Sequence, residues 1–455
     1  MPFLSWLHRR TSPHSYSCEY RKHRPKARYR PRLEVLEDRC LPSTLTVTTT
    51  ADSGPGSLRA EIAAAQSGDT IVFDPNLDGQ TITLTSGELV INKSLDIEGP
   101  GGSNLPVTIT VPTLFFGGPG TSRVFDVTDP SATVTLANLN IARGSATQGG
   151  DIFDAGATLN LVHDSLFGVA QGTSGAAGSP GGDALGGAIY QAGGTLSLTQ
   201  CQLRGDAFGG NGGTGAAGGN ALGGVIYSAG GVLNVTSCAF GGESGSTLLA
   251  GDGTVGGTGA GGAIYDAAGT TATITNSTFP GGVIDGGVGT AADGAALGGA
   301  VYQAGGSLTV TGSQFSGNEI IGGFSGSGSG VLSAGGAIYV AGGNVSMTNT
   351  SFLGNFAGSA DAVSPLGGGV YQAAGNLSMT DCTFGGNGAG HGGGLYQAGG
   401  ALTLTSCTFA NDFAASALAE GGALYVGGTA TIQSCAFEYD QALGNVGGQG
   451  FGGAV

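Results

Sequence analysis

Apolar and polar residues alternate strictly in a short segment that returns along most of the chain. Thr195–Thr199 reads T-L-S-L-T, Val232–Thr236 reads V-L-N-V-T and Ala401–Thr405 reads A-L-T-L-T. A period of two puts Leu196 and Leu198 on one face and the polar side chains on the other, the pattern of a half-buried strand. Each segment follows a block of the form Gly-Gly-small-(Ile/Val/Leu)-Tyr. These blocks end at Tyr190, Tyr227, Tyr265, Tyr302, Tyr339, Tyr371, Tyr396 and Tyr425, with Phe153 closing an earlier copy. Twelve to fourteen residues later a second block closes on Phe167, Leu203, Phe240, Phe279, Phe315, Phe352, Phe384, Phe409 and Phe437.

Spacing inside a unit barely changes, whereas successive Tyr blocks stand 37, 37, 38, 37, 37, 32, 25 and 29 residues apart. One compact unit therefore repeats. The slack is expected in the Gly/Ala/Ser-rich loops 168–183, 209–221, 281–296 and 354–365. The shortest interval has room for three short strands with corners but for no crossover helix. Equivalent strands must then stack in parallel, each turn rising one strand spacing of about 4.8 Å. The predicted fold class is all-β, a right-handed parallel β-helix.

Residues 44–145 prepare this stack. The segment 57–66 reads as a short helix with Ser57 as N-cap and Leu58, Ile62 and Ala65 on its apolar side, placed to cover the first turn's open edge. Strands at irregular spacing follow near 80–84, 89–91, 95–97, 107–111 and 133–136. Three regions result: a basic leader over 1–43, the cap and atypical first turns over 44–145, and the repeats over 146–455.

Composition narrows the alternatives. Of 455 residues 94 are Gly and only 10% are charged. Gly does not recur strictly every third residue, which excludes collagen. The ordered clusters of β-branched and aromatic residues speak against disorder. Residues 1–43 hold ten of the fifteen Lys and Arg, alternating with Pro and His and without an apolar period, as a disordered leader does. The remainder has five basic side chains, Arg59, Lys93, Arg123, Arg143 and Arg204, against 27 acids. Such an acidic body repels nucleic acid and anionic lipid. No stretch is long and apolar enough to span a membrane, and neither a signal-peptide core nor a lipobox before Cys18 or Cys40 is present.

Stacking turns repeated residues into columns. Two positions before each closing ring stand Ser165, Cys201, Cys238, Ser277, Ser313, Thr350, Cys382, Cys407 and Cys435. With no His or acid repeating beside them, they read as a buried ladder of small side chains and not as a metal site. One position earlier, Gln200, Ser237, Asn276, Asn349, Asp381 and Ser406 suit a tight turn. The Tyr column is expected to face outward, with Ile189 and its equivalents inward; it would either shield the strands or bind sugar rings. Gly251-Asp252-Gly253 only faintly matches a calcium-binding repeat. Asp381 with His391 is the nearest approach to a catalytic pair, and Arg204 is the one basic side chain after Arg143. Lyase chemistry needs calcium-holding acids with a base, and hydrolase chemistry needs paired carboxylates. Neither set recurs, so no catalytic, metal or cofactor residue is assigned.

The blocks G-G-A-I-Y at 186–190 and 335–339, with F-x-x-N at Phe315–Asn318, Phe352–Asn355 and Phe384–Asn387, resemble the repeat of bacterial polymorphic outer membrane proteins. The stretch 56–73 is similar to the entry segment of bacterial right-handed β-helix proteins. The motif R-P-R-L-E-V-L-E-D-R-C-L-P-S at 30–43 is similar to a leader of large bacterial surface and secreted proteins. The resemblance implies a secreted or cell-surface structural protein, adhesin-like and without catalytic activity. A passive polysaccharide-binding module is the first alternative, and a pectate-lyase-like lyase or glycoside hydrolase is the second. Expected partners are polysaccharide or cell-surface components and no nucleic acid. The family carries a membrane barrel after its repeats, and with no counterpart read in these residues the chain is expected to be a fragment or an early-terminated member. The chain stops at Gly452-Gly453-Ala454-Val455, inside another block, and the uncharged last edge is expected to favour end-to-end self-association.

Overall fold

The structure is a computed structural model that describes residues 42–101, 105–112, 122–241, 245–323, 331–358 and 364–455. The leader with Cys18 and Cys40 lies outside the described residues, apart from Pro42 and Ser43. Residues 42–455 form one compact unit, a right-handed parallel β-helix.

Three stacked sheets make its walls. The first has thirteen strands, from Thr44–Val47 through Thr195–Thr199 to Thr429–Gln433, all parallel and in register. Leu159 pairs with Leu196 and Leu196 with Leu233. The second has eleven strands, from Leu89–Ile91 to Leu424–Val426, and carries the Tyr blocks. The third begins at Thr81–Thr83 and Val107–Thr110. It branches where Gln202–Phe208 pairs with both Ala239–Phe240 and Thr247–Leu249. The first turns fall where the sequence places them, at Leu95–Glu98, Val107–Thr110 and Thr133–Ala137 among others.

Alternation decides the core. Leu196, Leu198 and Ile189 are fully buried, as is the ring column Phe240, Phe279, Phe315, Phe352, Phe384 and Phe409. These rings stack at centroid spacings of 4.4–5.2 Å, extending to Phe437. The spacing is close to one strand separation, so each ring packs on its equivalents above and below.

The corner after the first sheet is left-handed in nearly every turn. Asn138, His163, Gln200, Ser237, Asn276, Asn349, Asp381, Ser406 and Ser434 have φ between 49° and 57°, and Gly312 has φ 60°. Short polar side chains tolerate this conformation best, which explains the Asn/Ser/Asp preference there. The paired glycines of each Tyr block have separate reasons. The first, such as Gly186 with φ 67°, is left-handed. The second approaches neighbouring backbone: a Cβ on Gly187 would lie 2.0 Å from the Gly224 carbonyl oxygen and 2.6 Å from the Asp206 nitrogen. This glycine line divides the interior into the main core and a smaller one of Ala170, Ala207, Leu248, Ile284, Ile320 and their neighbours.

Two expectations are corrected. In the earliest repeat the core position is Leu166, not Phe167, and the small-ladder position is Asp164, not Ser165. Leu166 pairs with Leu203 and is buried, while Phe167 pairs with Arg204. The correction makes the spacing from Phe153 thirteen residues, as in the next two repeats. The inter-unit segments 168–183, 209–221 and 281–296 hold the variable length, as expected, but are hydrogen-bonded arms and not open loops, whereas 354–365 lies partly outside the described residues. In 172–181 the N–H groups of Gly172, Gly175, Gly178 and Gly181 donate to the carbonyls of Phe208, Asn211, Thr214 and Ala217 on the next turn. Within and between turns, Gly219 donates to Gly210, Gly251 to Gly219, Gly257 to Gly251 and Gly287 to Gly257, at 2.8–2.9 Å. Each segment is an outgoing and a returning arm joined by a turn, where Gly178 and Gly215 have φ 79° and 81°, and the Ser179 and Gly182 N–H groups donate back to Ala176 and Thr173 at 2.8 and 2.7 Å. A Cβ on Gly213 would stand 1.7 Å from the Ala176 carbonyl oxygen.

The entry helix forms over Leu58–Ala64 with Ser57 as its N-cap, its side chain accepting from the Ala60 N–H. Leu58, Ile62 and Ala65 are buried. Lys93 donates to the Ile62 and Ala65 carbonyls at 3.1 and 2.8 Å, which satisfies the helix's C-terminal end.

Leu166→Ala is expected to cost about 2–5 kcal/mol and Phe352→Ala about 3–5 kcal/mol in denaturant unfolding. Phe167→Ala should cost less than either. Equal losses at 166 and 167 would contradict the corrected register. Gly213→Ala should raise amide exchange in 172–182 and 209–219 while leaving the first sheet protected; unchanged exchange would show that the arms are not close-packed.

Candidate functional site

Three arrays could meet a ligand or do chemistry: the Tyr column, the outer face of the first sheet, and the polar side chains buried between turns. The Tyr side chains leave the second sheet on its outer side, as expected, but they are less open than an outward column suggests. Tyr339 and Tyr371 are buried, packed with Ala334 and flanked by Leu297, Leu332 and Leu366. From Phe153 to Tyr425 each ring stacks on the next at 4.3–5.5 Å. The aromatic faces are therefore covered by neighbouring rings, and solvent meets ring edges. Sugar C–H groups pack on the electron-rich face, not on the positive edge. The Phe153 ring is further covered by the Arg123 guanidinium, 5.0 Å away. Partial burial pushes the phenols from Tyr190 to Tyr396 up, to about 12 for Tyr265 and Tyr396.

The first sheet's outer face is free of charge from Thr133 to Gln433. One column runs Thr199, Thr236, Thr275, Thr311, Thr348, Thr380, Thr405. The adjacent column mixes Ser197, Asn234, Thr273, Thr309, Ser346, Ser378 and Thr403. These half-buried or exposed side chains alternate with the buried Leu, Val, Ile and Met.

Asp381 and His391 do not form a pair. Asp381 is exposed at the left-handed corner after Asn376–Thr380. His391 precedes the second sheet, bridged to Leu366 and Glu420. Its Nδ1 lies 3.9 Å from Glu420 Oε2, and burial lowers its pKa below the usual value. Arg204 covers the outward Phe167 ring at 4.8 Å and lies 4.0 Å from Asp206. Asp252 is tied into the glycine arms: its N–H donates to Asn211 Oδ1 at 3.0 Å and its Oδ1 accepts from Val288 at 2.8 Å.

The thiol column is an inter-turn hydrogen-bond ladder. Cys201 N–H donates to Cys238 Sγ at 3.4 Å, Cys238 N–H to Ser277 Oγ at 3.1 Å, and Ser277 N–H to Ser313 Oγ at 3.1 Å. Asp164 extends it upward by accepting the Leu139 N–H at 2.8 Å. Cys201, Cys238, Cys382 and Cys407 are buried free thiols. Among the described residues no three His, Cys, Asp or Glu gather as a metal site, and no helix is long and apolar enough to cross a membrane.

Sequence reasoning missed a further buried column that starts at the residue after the Tyr position. Asp154, Gln191, Ser228, Asp266, Gln303, Gln372 and Gln397 point inward and are fully buried. They serve the turn leading into the first sheet. Gln372 Nε2 donates to the Gly375 and Ala401 carbonyls at 3.1 and 3.0 Å, and Gln397 Nε2 repeats this on Gly400 and Thr429. Asp154 Oδ1 accepts from Gly156 and Ala157 at 3.0 and 2.7 Å. The recurrent (Ile/Val/Leu)-Tyr-Gln triplet is the available signal. Burial pushes the carboxyls up, Asp154 to about 6 and Asp164 and Asp266 to about 7.

Compared with known proteins, the chain matches no family model, no curated protein and no solved structure.

An acid whose folded pKa is raised binds its proton more tightly in the folded state. Its favourable contribution is complete below the unfolded value, 3.8, and is lost as pH rises to about 7. Asp69 and Asp129 act oppositely, since hydrogen bonds lower them and their contribution is lost in acid. The melting temperature is therefore expected to be higher near pH 5 than at pH 8. Asp154→Asn, which keeps the accepting oxygen, should flatten part of that slope. A melting temperature that rises steadily to pH 8 would contradict the burial argument.

Proposed function

We propose that the chain is a non-catalytic structural or adhesive β-helix of the bacterial cell exterior. One observation carries this reading most: the side chains best suited to chemistry are engaged between turns, while the broadest outward face is uncharged and hydroxyl-bearing. Thiols, buried carboxyls and amides go to neighbouring backbone. The basic side chains Arg59, Lys93, Arg123 and Arg204 lie on carboxylates, carbonyls or rings.

The uncharged, hydroxyl-rich face of the first sheet supports adhesion to a neutral, ordered surface. β-branched Thr has a stiff χ1, so a Thr column loses little rotamer freedom on contact. Lack of charge on an otherwise acidic body favours an uncharged partner. The similarity of the G-G-A-I-Y and F-x-x-N blocks to polymorphic outer membrane protein repeats, and of the 30–43 motif to surface-protein leaders, supports placement outside the cell. Glycan binding along the Tyr column is the weaker reading, because stacking covers the ring faces.

Full-length protein incubated with a panel of neutral and acidic polysaccharides is expected to release no reducing ends and no unsaturated products. It should adsorb to insoluble neutral polymers, and Thr275→Lys/Thr311→Lys/Thr348→Lys should reduce that adsorption at least several-fold. Turnover abolished by His391→Ala would overturn the non-catalytic reading. Adsorption lost with Tyr265→Ala but not with the lysines would move the contact to the Tyr column.

A further inference from the structure

The F-x-x-N motif builds a buried amide ladder whose lower end changes chemistry. Asn318 Nδ2 donates to Asn355 Oδ1 at 2.8 Å, and Asn355 Nδ2 to Asn387 Oδ1 at 2.9 Å. Each oxygen also accepts the backbone N–H of the rung above, Asn318 to Asn355 at 3.1 Å and Asn355 to Asn387 at 3.0 Å. Each Nδ2 finds a second acceptor in a ring-residue carbonyl: Phe279 for Asn318, Phe315 for Asn355, Phe352 for Asn387. In the next rungs the same positions hold Asp412 and Asp440. Asp412 Oδ1 behaves as an Asn oxygen, accepting Asn387 N–H and Nδ2 at 2.7 and 2.8 Å. Asp412 N–H donates to Asp440 Oδ1 at 2.9 Å.

Asp412 is fully buried, and its Oδ2 has no partner. By the ladder's geometry this atom stands where an Asn carries its NH2 group. The neighbours of that position are acceptors, namely the next rung's Oδ1 and a ring-residue carbonyl. An ionised oxygen there would face acceptors only and would sit one rung from a second carboxylate; two carboxyls this close do not both ionise readily. A protonated Oδ2 supplies the missing donor. We propose that Asp412 is a built-in proton site: its carboxylic acid replaces the amide donor of the Asn ladder, with Asp440 as acceptor, and holds the turn 413–451 onto the stack.

The charges around it are few. Asp440 acts on Asp412, and Asp440 in turn feels Glu438. The glycine segment crossing the site brings Gly394, whose added Cβ would lie 2.9 Å from Asp412 Oδ2. Nearby in that segment, His391 faces Glu420. Burial, the largest influence, pushes the Asp412 carboxyl up to about 7. The sign follows: the proton is held in acid, the donor is lost as pH rises through neutrality, and the turn below it loosens.

Hydrogen exchange by mass spectrometry on the full chain, corrected for intrinsic rates between pH 5 and 8, tests this. Peptides within 413–420 and 441–451 should lose at least about tenfold in protection relative to 344–380, the factor carried by one pKa unit. Asp412→Asn, which installs the amide used in the rungs above, should keep 413–451 protected at pH 8 and remove the pH dependence. Asp412→Ala should leave the turn exposed at both pH values. Wild-type protection equal to that of Asp412→Asn at pH 8, or an Asp412→Asn turn no better protected than Asp412→Ala, would overturn the proposal.

Discussion

The fold depends on the backbone ladder between turns, which fixes the repeated strand residues directly above their equivalents at one strand spacing. Once that register exists, a side chain's main neighbour is its own counterpart on the next turn. Rings meet rings, amides meet amides and thiols meet hydroxyls. Each column must therefore be a chemistry that tolerates its own repetition. Phe and Tyr stack, Asn donates to Asn, and Ser or Cys receives the N–H of the turn above. Unlike groups enter where a column begins, is interrupted or ends, as Asp164, Asp154, Asp266 and Asp412 do. The raised carboxyl pKa values follow from these positions: a buried acid has been placed where the pattern wants a neutral group.

Much of this was legible from the pattern of residues. Period-two alternation identified the first sheet and its inward Leu columns, and constant unit length required parallel stacking. The Asn/Ser/Asp positions named the tight corner, and their left-handed φ values give its cause. The entry helix could be read because its cap and its apolar spacing are local signals, Ser57 with Leu58, Ile62 and Ala65.

What stayed hidden required the register between turns. Phe167 imitates the core ring of the later repeats, and only its pairing with Arg204 shows that Leu166 fills the core. The glycine arms looked like loops because Gly has no side chain to show a pattern, and its role is a backbone contact across a turn. The Tyr column's outward direction was legible, but the covering of its ring faces is a property of two turns together. That single fact shifts the functional weight from the aromatic column to the hydroxyl face.

The stack itself is open to direct measurement. Thr199 and Thr405 stand in one column, six turns apart. In the full chain with Cys18, Cys40 and the partly exposed Cys435 replaced by Ser, spin labels on Thr199→Cys and Thr405→Cys can be read by pulsed electron spin resonance. Six rungs at about 4.8 Å give a separation of about 29 Å between backbones, broadened by the label arms, and the account predicts one narrow distribution there. A broad distribution, or a peak displaced by more than two rungs, would contradict a single continuous in-register helix.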